Sequence, residues 1–249
     1  MDYVIIFIFG LVIGSFLNVC IYRIPMEESI ISPPSHCYNC GTRLKPIDLI
    51  PVISWWLLGG KCRYCGVKVS YRYALVEFIT AFFFVFTYYM IGLQTTLIIY
   101  LVLLSILIVD TFIDFDHLII PDVLNYFTLI IFIILNIILG FMPWREALIG
   151  ALIGMLPLLL IVILTGGKGM GMGDVKLMAV LGLFLGWKLS LLTILLAFVL
   201  GGFFGILLLI TKIKSKQDAI PFGPWISIGA FIVMFYGETL LNWYINTLF

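Results

Sequence analysis

The chain has 249 residues, of which 63% are hydrophobic and only 11% charged, with a formal net charge of +1 and a mean hydropathy of +1.21. Soluble domains carry about 25% charged residues, so this composition excludes a water-soluble globular fold and points to an all-α polytopic membrane protein. The net charge of +1 says nothing about partners; the apolar composition implies the lipid bilayer, and no nucleic-acid partner is expected.

Apolar runs recur that are long enough to cross roughly 30 Å of hydrocarbon at about 1.5 Å per residue. They are continuous, not the alternating segments of a closed barrel. The pattern predicts eight spans, at about 3–22, 72–92, 94–113, 121–141, 145–165, 173–187, 189–211 and 219–245. The first run has no basic region before it and no small-residue cleavage pattern before Arg23-Ile24-Pro25, so it reads as a retained helix. Cys20 within it reads as a small buried apolar residue.

Residues 23–72 form a basic loop with two cysteine pairs, Cys37-Tyr38-Asn39-Cys40-Gly41 and Cys62-Arg63-Tyr64-Cys65-Gly66, twenty-one residues apart. Two disulfides are one possibility, but a loop facing a reducing compartment disfavours them. A thioredoxin-like site would need one such pair on a βα unit. Four thiolates fit a tetrahedral, structural Zn²⁺, with each glycine allowing the turn that aims backbone amides at sulfur. His36 is then superfluous as a ligand. Between the pairs, the segment 46–60 with Trp55 and Trp56 is very apolar for an exposed loop. It either enters the headgroup layer, the favoured reading, or forms a small core around the metal.

Span three ends in a carboxylate cluster: Asp110, Asp114, Asp116 and Asp122. Asp110 and Asp114 share a helix face. Asp122, after Pro121, suits the first turn of the next helix. Asp116 reads as a solvated turn residue, and His117 as an exposed loop histidine. Asp114 has no such role, because the dipole at a helix C-terminus disfavours an anion. Asp174 follows the glycine-rich stretch Gly166–Gly173 and opens span six, where capping is the alternative reading. Carboxylates at a bilayer edge are functional candidates by default. Two of them can share one proton and activate water, as in aspartic proteases. The glycines lack the Lys-Ser/Thr of a phosphate-binding loop. Close approach of an extended substrate along Gly171 and Gly173 is the better reading. Asp116 and Asp122 would add negative charge for a basic peptide.

With eight spans, twelve of the fourteen Lys and Arg fall on one face, Lys168, Lys176, Lys212, Lys214 and Lys216 among them; only Arg145 and Lys188 fall opposite. The positive-inside rule makes the rich face cytoplasmic and places both termini outside, with Asp114 and Asp174 at the cytoplasmic edge.

The chain resembles the type IV prepilin peptidases, within the GxGD aspartyl proteases. The likeness runs through Gly14-Ser15-Phe16-Leu17-Asn18 to Pro25, the cysteine pairs, Val69-Ser70-Tyr71-Arg72-Tyr73 to Glu77, Ile113-Asp114 with Ile120-Pro121-Asp122, Gly171-Met172-Gly173-Asp174-Val175-Lys176, and Ile220-Pro221-Phe222-Gly223-Pro224. Ala74 stands where that family often has proline. The resemblance implies Asp114 and Asp174 as the catalytic pair. It implies cleavage of a short basic leader from prepilins or pseudopilins at the cytoplasmic side of the inner membrane, then N-methylation with S-adenosyl-L-methionine. The cysteine loop points to the bifunctional bacterial type. The division expected is a first helix (1–22), a zinc-binding, methyltransferase-associated loop (23–72) and a multi-span protease domain (73–249). No Rossmann pattern is present, so a cofactor site would lie in or under the cysteine loop. Asn18, Arg72 and Glu77 read first as interhelical hydrogen-bonding groups. A proton-coupled transporter would also use membrane carboxylates, but it would show an internal repeat, which this chain lacks. In a third reading, a zinc-dependent sensor, the aspartates would only cap helices. The sequence sets no oligomeric state.

Overall fold

In the computed structural model, which describes residues 1–167, 169–212, 215 and 219–248, the chain is helical apart from two isolated bridges in the cysteine loop. Lys168, Lys214 and Lys216, used above for orientation, lie outside the described residues. The elements are α1 (Asp2–Arg23), a 3-10 turn (Pro46–Leu49), α2 (Ile53–Leu57), α3 (Arg72–Ile91), α4 (Thr96–His117), α5 (Asp122–Leu139), α6 (Trp144–Thr165), α7 (Met172–Ile210) and α8 (Gly223–Leu248). Span three runs on to His117, so Asp114 sits in the last helical turn and Asp116 is helical, not part of a turn.

Seven of the described helices are long and apolar enough to span a bilayer, one fewer than expected, because spans six and seven form the single element α7. Its 39 residues would stretch about 58 Å if straight, nearly twice the hydrocarbon thickness. The chain instead breaks at Gly186, whose φ of 71° and ψ of 177° are non-helical and open to glycine alone. The packing shows that it turns back there. Ile120 lies against both Gly173 and Gly223, which marks one end of the bundle; Gly201 lies against Trp225 near that same end, whereas Leu189 lies against Gly237, far along α8. The two limbs of α7 are therefore antiparallel, so the described residues hold eight apolar helical segments, the number expected from hydropathy.

The chain divides into two compact units, Met1–Val109 and Asp110–Phe249. Lipid is as apolar as leucine, so helices associate through close packing, and small residues permit it. In the first unit Gly10 and Gly14 of α1, one turn apart, lie against the backbone of Ala81 and Glu77 in α3. In the second, Gly150 and Gly154 of α6 meet Gly182 and Met178 of α7. Around Phe132, rings of Phe141, Trp144 and Phe184 pack edge-on at 5.1–5.8 Å, tying α5, α6 and α7 together at the Gly186 end. A side chain at Gly150 would strike the Gly182 carbonyl, and the converse also holds. Gly150→Val and Gly182→Val should each destabilise the protein by about 1–3 kcal/mol. Gly202→Ala, which faces open space, should be neutral or stabilising; thermal melts in one detergent compare the three.

Candidate active site

In the second unit, Asp114 and Asp174 come from different helices and are both buried, at 5% and 8% exposure. Asp114 Oδ2 accepts a 2.8 Å hydrogen bond from the Gly223 amide at the start of α8. A Cβ at Gly223 would lie 2.8 Å from that oxygen, so glycine is what lets the backbone approach the carboxylate. Asp174 is the third residue of α7, and its Oδ2 accepts from the amide of Gly171, the residue capping that helix, at 3.2 Å. Each carboxylate is thus held by a backbone amide, and neither is paired with a basic side chain among the described residues.

One turn deeper on α4, Asp110 is 1% exposed, and neither of its oxygens has a hydrogen-bond partner among the described residues. Asn125, a turn into α5, and Ser227, a turn beyond Gly223, are likewise buried and unpaired. The polarity of the site therefore extends inward from the aspartate level.

The remaining predicted site residues fall less simply. Lys176 Nζ lies 2.7 and 2.8 Å from the two carboxylate oxygens of Asp122, which offsets the charge expected to attract a basic peptide. Asp116 is exposed. The Gly171 amide is already taken by Asp174, and Gly173 packs on the backbone of Ile120. Both glycines thus have local structural reasons to be glycine, beyond any approach of substrate. The amide of Gly223 is the site group that the sequence reading missed; its signal was the Pro221-Phe222-Gly223-Pro224 run opening α8.

In the first unit, Arg23 ends α1 and donates 2.8 Å hydrogen bonds to the carbonyls of Ser29 and Pro33, folding the loop back over the helix end. The ring of Tyr38 then lies against those of Tyr22 and His36, tilted to both, with centroids 4.5 and 5.0 Å away. The two cysteine pairs form matching turns. Cys37 N–H donates to Thr42 O and Gly41 N–H to Cys37 O; Cys62 N–H donates to Val67 O and Gly66 N–H to Cys62 O, with Gly41 and Gly66 at φ of 68° and 73°. The four sulfurs of Cys37, Cys40, Cys62 and Cys65 lie within 4.8 Å of one another, and none is in a disulfide. The 3.9 Å between the Cys37 and Cys65 sulfurs matches the edge of about 3.8 Å that a tetrahedron of 2.3 Å Zn–S bonds requires. His36 is not part of the cluster; its Nδ1 is 3.1 Å from the Pro34 carbonyl.

The electrostatics suit a divalent cation. Thr42, through its hydroxyl and its amide, holds the Cys40 thiol down to about 6, and the amides of Cys65 and Tyr64 lower Cys62. At Cys37 the amides of Cys40 and Asn39 pull downward, but burial and the neighbouring sulfurs of Cys62 and Cys40 carry it up to about 11. Four crowded sulfurs resist losing their last proton without a cation among them. Asp48 braces the second turn, taking hydrogen bonds from Arg63, from Tyr64 at 2.8 Å and from the Lys45 amide at 3.0 Å. Burial works against its ionised form, but these donors hold its carboxyl below the usual range.

Under the loop lies a cavity of about 380 Å³, walled by the ends of α1 and α3 and by the cysteine turns. Trp55 faces it, with its indole N–H donating to Val69 O at 3.0 Å, whereas Trp56 is 73% exposed. Trp55 thus points inward, whereas Trp56 and Leu57 point outward, both more than 70% exposed. Asn18 donates from α1 to the Tyr73 carbonyl at 3.0 Å, the interhelical bond expected of it. Glu77 accepts from the Val52 amide at 2.7 Å, a link absent from the sequence reading.

Residues 8–91 match the bacterial peptidase A24 N-terminal domain, and residues 101–206 match the type IV leader peptidase family. Among curated proteins, the prepilin leader peptidase/N-methyltransferase of Aeromonas salmonicida (strain A449) is 33% identical over 98% of this chain and 94% of its own. The protein of the same name from Bacillus subtilis (strain 168) is 34% identical over 97% of each chain. That of Pseudomonas aeruginosa is 34% identical over 95% of this chain and 91% of its own. No solved structure matches. With both halves matched and a third of all positions shared along nearly the whole length, the chain belongs to the type IV leader peptidase family and is a multi-pass membrane enzyme, a prepilin peptidase with N-methyltransferase activity.

Proposed function

We propose that the enzyme removes the short basic leader of prepilins or pseudopilins at the cytoplasmic face of the inner membrane by aspartic-protease chemistry, then methylates the new N-terminal amine with S-adenosyl-L-methionine. The observation that carries the protease half is the pair Asp114 and Asp174, buried on separate helices and each oriented by a backbone amide. Two carboxylates this confined share one proton. The ionised partner takes a proton from water, whose oxygen attacks the scissile carbonyl, while the protonated partner donates to the carbonyl oxygen. Collapse of the tetrahedral intermediate releases the amine, and no acyl-enzyme forms. The amides of Gly223 and Gly171 keep both carboxylates in place through the cycle. Backbone near Gly171 and Gly173 receives the peptide.

Methyl transfer is assigned to the cavity beneath the cysteine loop, which meets the lower part of the range for ligand pockets. S-adenosyl-L-methionine supplies a methyl group on a sulfonium. Zn²⁺, held by Cys37, Cys40, Cys62 and Cys65, is structural, because four thiolates close its shell. The deciding experiment incubates the full chain in detergent or lipid with a pilin precursor and reads leader loss and methyl mass gain together. A precursor that gains neither overturns the assignment.

Asp116 and Asp122 face the leader in this reading, so cleavage should slow as ionic strength rises and when leader lysines are neutralised. The Lys176 pairing at Asp122 makes the effect modest, a few-fold. Equal rates for basic and neutral leaders at all salt concentrations would remove these acids from leader recognition.

A further inference from the structure

Glu77 is buried at 8% exposure on α3 and lines the cavity under the cysteine loop. The groups acting on it are neutral: the Val52 amide at 2.7 Å and the Ser15 hydroxyl. A buried carboxylate with no cationic partner is costly. The local backbone adds to that cost. Val52, which donates the short hydrogen bond, sits at φ 61° and ψ −50°, a conformation strongly disfavoured for a β-branched residue. The fold thus spends strain to orient a carboxylate that has no counter-ion among the described residues.

The other carboxylate on the cavity wall, Asp48, is already committed to Arg63, Tyr64 and the Lys45 amide. His36, at the rim, is engaged with the Pro34 carbonyl and Tyr38. Among the described carboxylates of the wall, Glu77 is therefore the one engaged only by neutral donors and open to a cation bearing N–H groups. The sulfonium centre has no N–H to donate, and the rings of Tyr22, Trp55 and Tyr73 around the cavity offer it cation–π contacts; the donor's own α-ammonium is the competing ligand for Glu77, and donor-site binding distinguishes the two. The amine exposed by leader removal does carry N–H groups. As an ammonium it has no lone pair and cannot accept a methyl group until a proton leaves.

We propose that Glu77 binds the new N-terminal ammonium of the cleaved pilin and accepts its proton, making it the proton acceptor of methyl transfer. The inference rests on the reading that methyl transfer occurs in this cavity. The ammonium gives one proton to the carboxylate. The nitrogen lone pair then forms the N–C bond as the C–S bond of the sulfonium donor breaks, and that electron pair stays on sulfur as a thioether. The product leaves as a secondary ammonium, and the carboxyl returns its proton to water.

The test uses the zinc-loaded full chain in detergent, with pre-cut pilin as methyl acceptor. Glu77→Gln keeps size and hydrogen bonding but removes the charge. Methyl transfer should fall about 100-fold or more, in kcat, with leader cleavage unchanged and S-adenosylhomocysteine bound as tightly as by wild type in equilibrium dialysis. Glu77→Asp should recover part of the rate. Methyl transfer by Glu77→Gln within about threefold of wild type overturns the proposal. So does loss of S-adenosylhomocysteine binding, which would place Glu77 on the donor. If Glu77→Gln loses its zinc and misfolds, Ser15→Ala takes its place. It should slow methyl transfer several-fold at unchanged S-adenosylhomocysteine affinity, and an unchanged rate overturns the proposal. Val19→Trp, which fills the cavity, tests the underlying assignment separately. If that variant methylates and binds S-adenosylhomocysteine normally, methyl transfer lies elsewhere, whatever Glu77 does.

Discussion

Asp114→Asn and Asp174→Asn should each reduce leader cleavage by about 10³-fold or more, the scale of losing a positioned acid or base together with its activated water. Asparagine makes this a clean measurement. Its carbonyl oxygen can still accept the Gly223 amide at position 114 and the Gly171 amide at position 174. The start of α8 and the cap of α7 therefore survive, and what disappears is the ability to share a proton. The double variant should be no slower than either single one, because the two groups work as one unit. Methylation of a pre-cut pilin and zinc content should stay near wild type. Asp110→Asn should be milder: Asp110 lies a turn below the pair, and its buried oxygens bond no described group. Rates of precursor cleavage by purified variants decide the matter, and wild-type-like cleavage by either Asp114→Asn or Asp174→Asn would sink the aspartate assignment.

Much of this was readable from residue order because the bilayer leaves few options. Hydropathy located the crossings, since a backbone in hydrocarbon must be helical. Asp114 stood out because nothing local justified an anion at that helix end. The turn at Gly186 was harder: Gly186-Trp187-Lys188 marked a boundary, but only the packing of Leu189 on Gly237 shows that the chain doubles back without leaving helix for more than one residue. What stayed hidden was every contact made across sequence distance. Gly223 reaches Asp114 across 109 positions and Val52 reaches Glu77 across 25, and neither amide leaves a mark in composition or periodicity. Lys176, counted for membrane orientation, turned out to hold Asp122. Long-range partners of this kind follow from helix packing, which a single sequence constrains only through its small residues.

Replacing a cysteine should separate the two activities. Cys37→Ser and Cys62→Ser lie in different turns of the loop, yet each should release the metal, since a thiolate set of three leaves the tetrahedron open. Zinc analysis of wild type should give one ion per chain, and the variants close to none. The loop should then unfold locally, because in small metal-bound modules the binding free energy is the folding free energy. Methyl transfer should be lost with it, as Cys37 and Cys62 and their neighbours wall the cavity assigned to that reaction. Cleavage should persist, because Asp114 and Asp174 are anchored within the unit Asp110–Phe249 by amides from that same unit. Chelation of wild type should reproduce the pattern, with methylation falling and cleavage continuing. Two results would contradict it: equal loss of both activities in Cys37→Ser and Cys62→Ser, or wild-type protein without zinc whose four thiols alkylate freely.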